Sequence, residues 1–122
     1  MKYPVMLVSL FLLAAVRGAA FAEPDPSSPA GIRAFADWLF QEKEYVRAAG
    51  EYYRLYFYAP AKEKDDLLKT IAHCYFLAGA YWDVIEIYKK LFHDHPESPF
   101  IEDAYYDCLL YTSDAADEED SV

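Results

Sequence analysis

Glycine is scarce in this sequence, four in 122 residues. Phosphate-cradling loops, dinucleotide fingerprints and nucleophile elbows are built on closely spaced glycines, and none of these motifs occurs. Cysteine is scarcer still, two in the chain, too few for a zinc site of paired cysteines. Positive charge is also short: 11 Lys and Arg stand against 21 Asp and Glu, a formal net charge of −10. A phosphate backbone is gripped by clustered cations, so nucleic acid is not an expected partner. Nor is there a long apolar run. The longest, Val5 to Val16, is broken only by Ser9 and spans about 12 residues, short of the roughly 20 that a membrane-crossing helix needs.

What the sequence does have is helical periodicity. Between Leu67 and Pro96, the apolar residues Leu68, Ile71, Ala72, Tyr75 and Phe76 recur at steps of three and four, the spacing of one helix face. Gly79 ends that helix, because glycine accepts the left-handed conformation that a helix C-terminus favours. A second helix is predicted from about Tyr81 to Phe92, with Val84, Ile85, Ile87, Tyr88 and Leu91 on its apolar stripe and Pro96 closing the unit. The unit occurs once before. Tyr45, Tyr52, Leu55 and Pro60 stand 36 residues ahead of Tyr81, Tyr88, Leu91 and Pro96, and Phe35, Ala36, Phe40 and Ala48 match Ile71, Ala72, Phe76 and Val84 in the same register. Self-similarity at such a period is the mark of stacked helical hairpins.

At these residues the chain resembles the tetratricopeptide repeat (TPR) family, whose unit is a helical hairpin of about 34 residues. The resemblance covers roughly Pro29 to Asp107 and is strongest at Gly79-Ala80-Tyr81 followed by Tyr88, Leu91 and Pro96. The first copy departs from it, with Lys43 in the place of Gly79, so that its turn must close without glycine. Lys62-Glu63-Lys64 is read as lengthening the link between repeats. The expected fold is all-α: TPR-like stacked antiparallel hairpins, with repeats at about 29–62 and 65–98 and the first helix of a third over 99–107.

Residues 1–22 read as a secretory signal peptide of bacterial type. Lys2 supplies the positive start, the short apolar run follows, and Ala20-Phe21-Ala22 places small residues where a signal peptidase cuts. No cysteine follows the run, so the product is expected to be free in the periplasm or secreted. Residues 23–28, EPDPSS, read as a linker with nothing to bury. Ser28 can cap a helix that starts at Pro29 and runs to about Gln41, and Ser98-Pro99 repeats that device 70 residues on.

From Cys108 the sequence reads CLLYTSDAADE, which resembles the translation of a transposon-based sequencing-library adapter. Residues 108–122 are therefore expected to be read-through, and the natural part a fragment of a longer protein. Cys74 then stands alone, with no disulfide, as a small buried residue. Five of the 21 acids lie in that tail, and the remaining sixteen against eleven bases still leave a net charge of −5. Two hairpins and a severed third leave an apolar edge uncovered, so marginal stability or self-association is expected.

No catalytic residue, metal ligand or cofactor is expected. His93-Asp94-His95 has ligand-type side chains but no second pair at ligand spacing, and reads as the polar end of a helix. Asp65-Asp66 and Glu102-Asp103 are each placed in the first turn of a helix, where acids oppose the positive end of its dipole. Of the twelve tyrosines, Tyr45, Tyr52, Tyr75, Tyr81 and Tyr88 fall on repeat packing positions. Tyr53, Tyr56 and Tyr58 exceed what packing needs and read either as a contact with another chain or as packing on a missing third repeat or the linker.

The TPR resemblance implies that function lies on the concave wall made by the first helix of each hairpin. The binding candidates there are Arg33, Asp37 and Phe40 from the first repeat and Lys69, His73 and Phe76 from the second. Charge mixed with aromatic surface suits an extended peptide or a partner loop. The family's carboxylate clamp is not reproduced, since Asp37 and His73 stand where asparagines would. The expectation is a non-catalytic scaffold of the bacterial cell envelope, with proteins or extended peptides as partners. The alternative is the docking arm of a larger envelope enzyme or peptidoglycan-binding protein.

Overall fold

A computed structural model describes residues 23–120; the signal peptide expected over residues 1–22 lies outside them. Among the described residues the chain is all-α, with no strand and five helices: α1 Pro29–Gln41, α2 Tyr45–Tyr58, α3 Ala61–Leu77, α4 Tyr81–Asp94 and α5 Ile101–Asp120. Each helix packs principally on the next: α1 on α2, α2 on α3, α3 on α4 and α4 on α5. The links are short, and short links between packed helices make antiparallel neighbours.

The core follows the apolar stripes. Leu68, Ile71 and Ala72 of α3 are fully buried, as are Val84 and Leu91 of α4, with Ile85, Ile87 and Tyr88 close behind. Their counterparts Ile32 and Ala36 on α1, and Ala48, Tyr52 and Leu55 on α2, are buried too. Alanine at 36, 48, 49 and 72, with no exposed surface, lets the helix backbones approach, and the larger side chains fill the grooves beside them. Cys74 is buried in this core and unpaired, and burial pushes its thiol up to about 11.

α1 begins where the sequence places it. Ser28 Oγ accepts a 3.1 Å hydrogen bond from the Gly31 N–H, and Pro29 fills the first turn. The exposed residues before it form a hydrogen-bonded turn. The Asp25 carboxylate accepts from the Ser27 N–H at 2.9 Å and the Ser27 hydroxyl at 2.7 Å, which holds its pKa below the usual carboxylate value. The Asp25 carbonyl accepts from the Ser28 N–H at 2.9 Å and the Ser28 hydroxyl at 2.6 Å. The resulting turn lies against Gly31, where a Cβ would overlap the Asp25 carbonyl oxygen.

The two hairpin turns are the same turn. Gly79 takes φ 74° and Lys43 takes φ 62°, so the first turn closes without glycine by forcing a lysine into the left-handed region. Lys43 N–H donates to Phe40 O and Glu44 N–H to Leu39 O, at 3.0 and 2.9 Å; Gly79 and Ala80 bond Phe76 and Tyr75 at the same two distances. These are the bonds that satisfy the last carbonyls of a helix.

α3 starts earlier than the sequence reading put it. Lys62-Glu63-Lys64 does not lengthen the link but forms the first turn of a 17-residue helix, against 13 residues in α1. Alanine, lysine and glutamate are good helix formers, and the only breaker is Pro60, which sits at the N-cap with φ −65° and ψ 152°. Asp65-Asp66 consequently falls one turn in rather than in the first turn. Asp65 instead accepts a 2.8 Å hydrogen bond from the Ser98 hydroxyl, tying α3 to the link before α5. Glu102 and Asp103 do lie in the first turn of α5. Phe100 stands just before that helix, its N–H bonded to Ser98 Oγ at 3.2 Å. α5 continues through the stretch 108–120 that carries the adapter resemblance.

Candidate binding groove

The HDHP segment places its two histidines on different partners. The His93 and Asp94 side chains share a 2.7 Å hydrogen bond, and Lys90 Nζ donates to Asp94 at 2.8 Å. With two donors, His93 first, the Asp94 carboxyl falls to about 2. His95 turns the other way and shares a 3.1 Å hydrogen bond with the Tyr56 hydroxyl. Tyr56 is thus not surplus to packing: it is 6% exposed, with the ammonium groups of Lys64 and Lys90 lying 4.9 and 5.4 Å from its ring centroid. Tyr53 is half-buried beside it, while Phe57 and Tyr58 face solvent.

On the other side, α1 and α3 flank a groove of about 350 Å³ lined by Phe40, Tyr52, Asp66, Lys69, Thr70 and His73. Three of the six candidates read from the sequence, Phe40, Lys69 and His73, meet here. The Phe40 and His73 rings lie 6.1 Å apart across the groove, and each touches a further ring: Phe40 meets Tyr45 edge-on at 5.4 Å, and His73 stacks on Phe76 at 6.5 Å. Phe76 in turn lies 6.0 Å from Tyr81. A strip of rings therefore crosses the molecule from α2 over α1 and α3 to α4. Lys69 leans toward α5, with its ammonium 4.1 Å from the centroid of Phe100.

Asp37 borders the groove through Tyr52. The Tyr52 hydroxyl, on an almost buried ring, donates to Asp37 Oδ1 at 2.6 Å, and burial followed by this carboxylate raises the tyrosine pKa well above its usual value. Arg33 is exposed one turn earlier on α1 and does not line the groove. Phe76 is 37% exposed, stands in the strip of rings between His73 and Tyr81, and does not line the groove.

The tyrosine–carboxylate bonds were not read from the sequence. Tyr88, 36 residues after Tyr52, does not bond His73, the counterpart of Asp37. It donates to Asp107 on α5 at 3.1 Å, and burial followed by that carboxylate raises its pKa too. A signal was present: Asp37 and Asp107 stand 70 residues apart, the spacing of Ser28 and Ser98.

No protein-family model, curated protein or solved structure matches this chain. No helix among the described residues is long and apolar enough to cross a membrane.

Proposed function

We propose that the chain is a non-catalytic, TPR-like interaction scaffold, exported to the bacterial cell envelope, whose groove between α1 and α3 takes an extended peptide or a partner loop. The observation that carries this reading is the groove itself. Equivalent helices of two hairpins bring the Phe40 and His73 rings within 6.1 Å, with Lys69 and Asp66 along the same groove and Asp37 bonded to Tyr52 on its wall. Aromatic walls with a few fixed charges supply the apolar contact and the orienting polar groups that peptide recognition needs. Asp94, His93, His95 and Lys90 are held by one another and by Tyr56, which fits a structural role for the HDHP segment.

The test is a peptide array drawn from envelope proteins, probed with the purified chain and then with Phe40→Ala and His73→Ala. Loss of the same peptides in both variants, with helicity retained, is the expected result. Peptide binding indifferent to both substitutions removes the groove from the reading. Export is tested separately, by fusing residues 1–22 to a reporter active only outside the cytoplasm.

A further inference from the structure

Two helices of the stack pack on a single principal neighbour: α1 on α2, and α5 on α4. Each leaves an apolar stripe in water. On α1, Phe35 and Trp38 lie one turn apart with rings stacked at 5.9 Å, 42% and 52% exposed. Their counterparts 36 residues on are Ile71 and Cys74, which have no exposed surface in α3, a helix with α2 and α4 packed on it. On α5, Tyr105, Tyr106, Leu109 and Leu110 share one face at helical spacing, and each is at least 46% exposed. Tyr106 and Leu109 stand 70 residues after Ala36 and Leu39, which are buried in α1, where α2 packs. Both stripes therefore occupy register positions that are covered wherever a neighbouring helix is present. Phe57 and Tyr58 are exposed too, but they belong to the end of α2, which already has a helix on each side.

We infer that copies of this chain associate head to tail, the α5 stripe of one copy lying on the Phe35–Trp38 face of the next. The contact extends the order already present inside the chain, where each helix rests on its neighbour in sequence. Charge sets the polarity. Residues 29–60 hold four bases against four acids, whereas residues 97–120 hold nine acids and no base, four of those acids ahead of Cys108. Pairing α5 with α5 would set acid against acid, while α5 on α1 sets the acidic end of one copy on the neutral end of another. Pairing α1 with α1 would leave both α5 stripes in water. A contact between unlike faces also leaves one face of each kind free, so that a further copy can add. The six side chains together present about 700 Å² of apolar surface, the scale of a weak and reversible association.

The test is sedimentation velocity on the full chain and on two variants, Trp38→Glu and Tyr106→Glu, each of which alters one exposed side chain and is expected to keep its helical circular dichroism. The mass of the unmodified chain is expected to rise with concentration up to about 1 mM. Each variant alone is expected to stay monomeric. Mixed in equal amounts, the two are expected to form dimers and nothing larger, because one intact α5 stripe and one intact α1 face remain between them. An unmodified chain that stays monomeric overturns the inference, and so does a mixture that stays monomeric. Association kept by Trp38→Glu alone means that the contact does not use α1, and association kept by Tyr106→Glu alone means that it does not use α5; either result overturns the inference as well.

Discussion

Lys43 and Gly79 hold the same left-handed backbone, φ 62° and 74°, in turns 36 residues apart that close with the same pair of hydrogen bonds. Glycine reaches this conformation without strain, whereas an L side chain pays about 1–2 kcal/mol. Lys43→Gly is therefore expected to stabilise the chain by about 0.5–1 kcal/mol, after allowing for the greater freedom of glycine in the unfolded state. Nothing lies within 4 Å of a Cβ at Gly79, so Gly79→Ala is expected to cost about 1 kcal/mol through the backbone alone. Urea unfolding of the two variants checks both signs.

The turn before α1 should be sensitive to a single methyl. A Cβ at Gly31 overlaps the Asp25 carbonyl, which is backbone and cannot swing aside. Gly31→Ala is expected to cost about 1–3 kcal/mol and to detach the Asp25–Ser28 turn, seen as faster amide exchange at Ser28. Ser28→Ala, which removes the cap, is expected to cost about 1 kcal/mol.

Equivalent positions should respond unequally. Ile71→Ala opens a cavity in the fully buried core and is expected to cost about 2–5 kcal/mol. Phe35→Ala, at the matching place on α1 but 42% exposed, is expected to cost less than about 1 kcal/mol. Equal losses would mean that Phe35 is covered in solution.

Stability should fail on the alkaline side. Burial raises the Cys74 thiol from 9.0 to about 11. Tyr52 and Tyr88 are raised above their ordinary 10.0 by burial and by their aspartates. Groups raised by folding contribute stability that is complete below their unfolded values and is lost as pH climbs through the folded ones. Urea midpoints should hold steady to about pH 9, then fall through pH 11 and beyond. Ionisation of the buried tyrosines, followed by ultraviolet absorbance, should coincide with loss of helical circular dichroism.

The features legible in the sequence were those written in local periodicity. The stripes of α3 and α4, the cap at Ser28 and the stop at Gly79 each depend on residues within a few positions of one another. The start of α3 was misplaced because lysine and glutamate suit a solvated link and a helix turn equally, and the decision lay with Pro60. The groove was half legible. The repeat register identified Phe40, Lys69 and His73, but not Tyr52, which stands on the second helix of its hairpin, or Asp66, which shares the face of Lys69 and His73 but reads as a first-turn acid. Tyr56 bonding His95 across 39 residues was beyond reach, since nothing local couples them.

Because each helix packs principally on its neighbours in sequence, the first helix and the third are joined mainly through the second. Opening is then easiest at an end, where one interface is lost, and hardest at the central α3, whose two neighbours are each packed on a further helix. A ligand spanning the groove from Phe40 to His73 adds a bridge that bypasses α2. Such a bridge makes the end helix share the middle one's resistance to opening, so amide protection should rise more in α1 than in α3. Occupancy of the groove would thereby be felt at the outer face of α1, on which Phe35 and Trp38 stand.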